Sequence, residues 1–149
     1  NVPMNSWVCV DANLVLKLVL QEADSSKANF LWQSWLEQGY RPVAPYLFPM
    51  EITAVLRNHV YRGVISASYG RTALDTALAF SVTLLTFSNL SQLAWQLAET
   101  LNRPTAYDAH YLALAELLHC DFWTADRRLH NAAATTLPWV HSLDEIPEQ

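Results

Sequence analysis

Glycine, cysteine and lysine are scarce in this chain. Only three glycines serve 149 residues, so turning falls to Pro, Asn, Asp and Ser. Two cysteines, Cys9 and Cys120, each in a short apolar strand-like run, exclude a disulfide framework and a cysteine-rich zinc pattern. Buried free thiols in a reducing cytosol are expected instead. Lys17 and Lys27 are the only lysines, and nine basic residues face fourteen acidic ones, for a net charge of −5. That excludes a surface covered in basic patches for duplex DNA. It does not exclude nucleic acid, because a bound cation reverses the sign of an acidic cleft. No apolar stretch reaches about 18 residues without a charge, so no transmembrane helix and no membrane partner are expected. The opening Asn1-Val2-Pro3-Met4-Asn5 lacks the basic start and apolar run of a signal peptide, which points to a cytoplasmic location.

What is abundant is apolar. Hydrophobic residues make up 52% and charged ones only 15%, against about 25% charged in ordinary soluble domains. The length fits one domain over residues 1–149, with a core large enough to fold unaided. So little charge predicts that a second subunit or a partner covers part of the surface.

Short apolar strands alternate with helices. Ser6–Val10 reads as a strand and Asn13–Leu20 as a helix. Ser25 or Ser26 is expected to cap the next helix, which Gly39 ends. "RPVAPY" is extended between prolines. Pro49 tolerates a first turn, and the helix it opens runs to Gly63. Ser66 caps a helix to Ala79, "SVTLLTF" reads as a strand, and Leu90, Leu93, Leu97 and Leu101 stripe an amphipathic helix that Pro104 ends. A helix over "TAYDAHYLALAELLH", a strand at "CDFWTA", a short helix from Arg127 and a last strand at "PWVHSL" complete the series. The pattern predicts an α/β fold with a mostly parallel sheet covered on both faces. Ligands of such sheets bind beyond the carboxyl ends of the strands.

Four acids stand out: Asp11 and Asp126, just past strand ends, and Glu51 and Asp108, at helix starts. Each has a purely structural explanation. Asp11 and Asp126 suit helix N-caps, Glu51 a first turn, and Thr105-Ala-Tyr-Asp108 a capping box. Taken together, all four open helices and two follow strands. If they converge they repel, unless protons or cations lie between them. Hard oxygen donors select Mg²⁺ or Mn²⁺, and such ions promote phosphodiester hydrolysis. A divalent cation also offsets the cost of Asp11 amid "VCVDANLVLKLVL".

"VCVDANLVLKLVL", "PMEITAVLRN", "TAYDAHYLALAELL" and "CDFWTADRRL" resemble, in order and spacing, the PIN-domain ribonucleases, and most closely the VapC-like toxins of bacterial toxin–antitoxin pairs. The resemblance spans Val8 to about Val140. It implies a PIN-like three-layer fold with about five parallel strands, and endonucleolytic cleavage of RNA with Mg²⁺ or Mn²⁺. It also implies a cognate antitoxin and a homodimer. It carries Asp11, Glu51, Asp108 and Asp126 over as the acidic set. Asn13 and Thr124 then orient a carboxylate or a metal-bound water. Arg57, a turn and a half past Glu51, is the best single candidate to grip an RNA phosphate. Asp121 lies too far along its strand from Asp126 to join them. The five histidines show no metal-ligand spacing. Trp32, Trp35 and Trp95 are core residues or anchors for a dimer or antitoxin. Two competing readings remain. One is a non-catalytic PIN-like scaffold that binds protein through its apolar helices. The other is a haloacid-dehalogenase-like phosphatase, disfavoured because its second aspartate is Asn13 here.

Overall fold

The computed structural model describes residues 6–149, so the reading of the first five residues lies outside the described region. Five parallel strands, β1 (Trp7–Val10), β2 (Arg41–Ala44), β3 (Thr83–Leu84), β4 (Phe122–Thr124) and β5 (Val140–Ser142), form one sheet in the order β3-β2-β1-β4-β5. The register sets Cys9 against Val43 on one side and against Phe122 on the other. Seven α-helices alternate with these strands: α1 (Ala12–Val19), α2 (Ser25–Gln38), α3 (Leu47–Tyr61), α4 (Ala67–Ala79), α5 (Leu90–Thr100), α6 (Tyr107–Leu118) and α7 (Arg127–Ala133).

Side-chain alternation along β4 shows the three layers. Phe122 packs against Tyr111 of α6, and the next residue, Trp123, packs edge-on against Trp35 of α2. Successive strand residues point to opposite faces, so α2 and α6 cover opposite sides of the sheet. Val8, Cys9, Val10, Val43, Ala44 and Phe122 are buried, as a parallel sheet sandwiched between helices requires. Both thiols are free and buried, as expected.

Several local expectations are corrected. Ser25 and Ser26 do not cap α2; Asp24 holds the N-cap position. The Ser25 hydroxyl instead donates to the Leu20 carbonyl (2.8 Å) and accepts from the Glu22 amide (3.0 Å), closing the turn before the helix. "SVTLLTF" contributes only a two-residue edge strand, because its sole sheet neighbour, β2, is itself short. The helix over 47–61 begins before Pro49, which puts Glu51 in its second turn and not its first. Thr105 makes no capping box, since Ala106 takes the N-cap position of α6 with no side-chain cap. Ser66 does cap α4, accepting from the Tyr69 amide at 3.1 Å.

Helices α3 and α4 pack closely at Gly70. A Cβ built there would sit 2.4 Å from Val60 Cγ2, a stiff β-branched side chain. Gly70→Ala should therefore lower stability by about 1 kcal/mol or more, although alanine gains about 1 kcal/mol of helix propensity. Adding Val60→Ala should recover most of the loss in denaturant melts. A stabilised Gly70→Ala protein would show that the helices can separate freely.

Candidate active site

All the strands run in one direction, so the segments leaving their carboxyl ends gather along one edge. Asp11 follows β1 there. It N-caps α1, with its Oδ1 accepting from the Leu14 amide at 2.9 Å. Its Oδ2 accepts from the Thr124 hydroxyl at the end of neighbouring β4. The same Thr124 oxygen accepts from the Asp126 amide at 2.9 Å. Thr124 is fully buried and Asp11 is 5% exposed, so one hydroxyl ties two acids from adjacent strands. Asp126 in turn caps α7, with Oδ1 accepting from the amides of Arg128 (2.9 Å) and Leu129 (3.3 Å). For Asp11 and Asp126, capping and site membership are the same arrangement seen from two sides.

Glu51 comes from α3 and is half-buried. Its Oε1 is buried and accepts no hydrogen bond. The Tyr111 hydroxyl of α6 is equally buried and makes no hydrogen bond of standard geometry, yet it lies close enough to the Glu51 carboxylate to favour its charged form. Tyr111 lies three residues past Asp108 and so shares its face of α6. Sequence reasoning missed it, because a tyrosine at helical spacing among leucines and alanines looks like core. Asp108 occupies the first turn of α6, where its carboxylate pairs with Arg103 at 3.2 Å. Arg103 was also missed; it stands on the short loop ahead of the helix, five residues from its partner.

Charge links the acids in a chain, with Asp126 and Asp108 acting on Asp11, and Asp108 also on Glu51. Burial pushes the Asp11 carboxyl up to about 7. The bonds from Thr124 and Leu14 pull it down, and the negative charges of Asp108 and Asp126 push it further up. Burial likewise raises Glu51, with the Tyr111 hydroxyl opposing and Asp108 adding to the rise. Asp108 is thus within electrostatic reach of both Asp11 and Glu51, and Asp126 within reach of Asp11. Among the described residues, however, no three His, Cys, Asp or Glu side chains are closed into a set that holds an ion. The donors nonetheless suit a hard divalent cation. They are all oxygen, they carry excess negative charge, and the buried Glu51 Oε1 has no protein donor.

Asn13 opens onto a trough of about 650 Å³ that also takes in Asp126, Arg127, Arg128, Lys17, Lys27, Val55 and His59. Arg57 is not there. It faces the cleft between α3 and α4, with its guanidinium 5.9 Å from the Tyr61 ring. The reason is helical phase. Six residues at 100° each turn Arg57 well off the face of Glu51, whereas four and eight residues bring Val55 and His59 back near it. Asp121 lies outside the site, at the far end of β4, where it approaches His141 at 3.5 Å.

Comparison with known proteins bears on the family and the fold. The chain is 32% identical over 131 residues to a VapC ribonuclease of Mycobacterium bovis and to ribonuclease VapC9 of Mycobacterium tuberculosis, covering 88% of this chain and 94% of each relative. Among solved structures, PAE2754 from Pyrobaculum aerophilum shares the fold with a TM-score of 0.69, 19% identity and coverage of 97% of this chain and 89% of that one. VapC20 of Mycobacterium tuberculosis, described as a sarcin-ricin loop cleaving toxin, gives 0.60, 18% identity and coverage of 85% and 95%. The PIN domain family matches residues 8–135, and with the edge-gathered carboxylates and the relatives above, this places the chain in the PIN domain family, among VapC-type ribonucleases.

Proposed function

We propose that this chain is an endoribonuclease that hydrolyses RNA phosphodiester bonds at Asp11, Glu51, Asp108 and Asp126, with Mg²⁺ or Mn²⁺ as cofactor, and that it is the toxin of a VapBC-like toxin–antitoxin pair. The observation that carries the reading is Asp11. It is a buried carboxylate, tied through Thr124 to Asp126 and repelled by Asp108 and Asp126, in a chain whose relatives are ribonucleases. A divalent ion, when bound, supplies Lewis acidity toward a phosphoryl oxygen. The residues themselves supply position. Thr124 fixes the spacing of Asp11 and Asp126, and the caps of α1 and α7 fix their rotation. Glu51 keeps one buried oxygen free of protein donors. Arg103 steadies Asp108. Asn13, on the trough side, is available to orient water or a substrate oxygen.

The partners follow from the same site. An antitoxin that inserts Arg or Lys among the acids would replace cation charge, an Arg pairing bidentately with a carboxylate where Arg103 makes a single contact with Asp108. We propose a homodimer through the α5 side, where Trp95 is 66% exposed. Light scattering at micromolar concentration should give about twice 16.9 kDa, and a clean monomer would count against it. The scaffold reading predicts no cleavage at all, and the phosphatase reading predicts turnover of small phosphomonoesters.

Asp108→Asn and Asp11→Asn should each reduce Mg²⁺- or Mn²⁺-supported RNA cleavage by about a hundredfold or more. Thr124→Val should reduce it about ten- to a hundredfold, and should destabilise the fold by about 1–3 kcal/mol by stranding the Asp126 amide. Gel assays on labelled RNA decide this; full activity in Asp108→Asn sinks the assignment.

Asp11 also predicts a pH signature in EDTA. Its carboxyl ionises near 3.9 in the unfolded chain and at about 7 when folded. Stability from this group is fully present below the unfolded value and is lost as pH rises through the folded one, by about 4 kcal/mol at most. Melting temperature should therefore fall between pH 4 and 7 more steeply for the parent than for Asp11→Asn. Mg²⁺ at pH 8 should restore much of it. Parallel curves for the two proteins would show that Asp11 carries no such penalty.

A further inference from the structure

The cations lining the trough beside Asp126 are not equally held. Lys17 bonds two acids, Asp24 at 2.9 Å and Glu22 at 3.5 Å. Arg127 is gripped by both oxygens of Asp144, at 2.9 and 3.0 Å. Lys27 differs. Only 14% of its side chain is exposed, yet its ion-pair partner is Glu148, at 3.2 Å, whose side chain is 88% exposed. The buried stem of Lys27 holds its ammonium at the trough wall, where a counter-charge is favourable, whereas so exposed a carboxylate loses little by returning to water. The two therefore form a pair in which the cation is fixed and the anion is replaceable. Lys27 lies on the first turn of α2, whose amino end favours anions, and its trough is continuous with Asn13 and Asp126.

We propose that Lys27 is an anchoring subsite for a backbone phosphate of the RNA strand, and that Glu148 is its stand-in, displaced when the strand enters the trough. The proposal rests on the ribonuclease reading above. It makes Lys27 a binding residue remote from the scissile bond and makes Glu148 a built-in competitor. Neighbouring charges set the balance. Asp24 and Glu22 pair with Lys17, Asp144 pairs with Arg127 while its charge also reaches Lys27 from a distance, and Arg128 adds an exposed positive charge on the same wall. Phosphate on Lys27 thus exchanges one anion for another and leaves the other pairs in place. The contact is made equally in ground and transition states, so its loss should raise KM and leave kcat nearly unchanged.

The test uses the full chain carrying Asp108→Asn, which removes cleavage, and a fluorescent single-stranded RNA oligomer in EDTA at stepped salt. Lys27→Gln should weaken binding about three- to tenfold and flatten the salt dependence by about 0.7 in log–log slope, the share of one phosphate on a single strand. Glu148→Gln should tighten binding about two- to fivefold, because the competitor is gone. Lys27→Arg, which keeps the charge, should bind like the parent and guards against a folding artefact. With Asp108 restored and Mg²⁺ present, Lys27→Gln should raise KM at nearly constant kcat. If Lys27→Gln and Glu148→Gln both bind and cleave like the parent, the subsite is wrong while the ribonuclease assignment stands. If Lys27→Gln lowers kcat at unchanged KM, the anchoring role is likewise overturned. If the parent neither binds nor cleaves RNA with Mg²⁺ or Mn²⁺, both proposals fall together.

Discussion

The burial of one carboxylate governs the carboxyl edge of this molecule. Asp11 sits at the end of the central strand with both oxygens committed, one to the first turn of α1 and one to the Thr124 hydroxyl. Those two bonds are what let an acid occupy a place that desolvation otherwise makes costly. They also join β1 to β4 through a side chain, beyond the backbone ladder, at the point where the chain leaves the sheet. Moving Thr124 by one residue would turn its hydroxyl to the other face and strand both Asp11 Oδ2 and the Asp126 amide. The site and the strand register are therefore one constraint.

Around that point the structure leaves charge unbalanced on purpose-built ground. Glu51 and Tyr111 present buried oxygens with no partner, and Asp108 and Asp126 press on Asp11 without touching it. A core assembled only for stability would pair or remove such groups. Their retention on three helices and one strand end supports a site whose complement comes from outside the chain. The capping roles of Asp11 and Asp126 do not compete with this. A helix N-terminus lowers the cost of an anion and fixes its rotation, which is also what a binding carboxylate needs.

Beside the acids, the trough wall mixes four lysine and arginine side chains with as many carboxylates. The overall charge of −5 conceals this local alternation. Lys17 and Arg127 are locked into pairs that shape the wall, whereas Lys27 holds a partner that belongs more to solvent than to the protein. A surface can thus be acidic in total and still offer a phosphate a specific hold.

Much of this was legible in the residues. The alternation of short apolar runs with amphipathic stretches determines the α/β class, because period 2 and period 3.6 burial patterns are local properties of the chain. Asp11 and Asp126 stand out because charged groups at the ends of apolar strands need a reason, Glu51 and Asp108 because they stand near helix starts, whereas Asn13 and Thr124 are carried over by the family resemblance alone. Tertiary structure decided what depends on distance and phase across elements. The Thr124 bridge joins residues 113 apart. Tyr111 became part of the site only when the fold brought its hydroxyl near the Glu51 carboxylate of α3. Arg57 lies off the site and Val55 and His59 line the trough because α3 turns its Arg57 face toward the cleft with α4, and only the packing of α3 decides which neighbour each of its faces meets. The hold of Glu148 on Lys27, across the length of the chain, has no local signature, since a lysine reads the same in sequence whether its counter-ion is fixed or free.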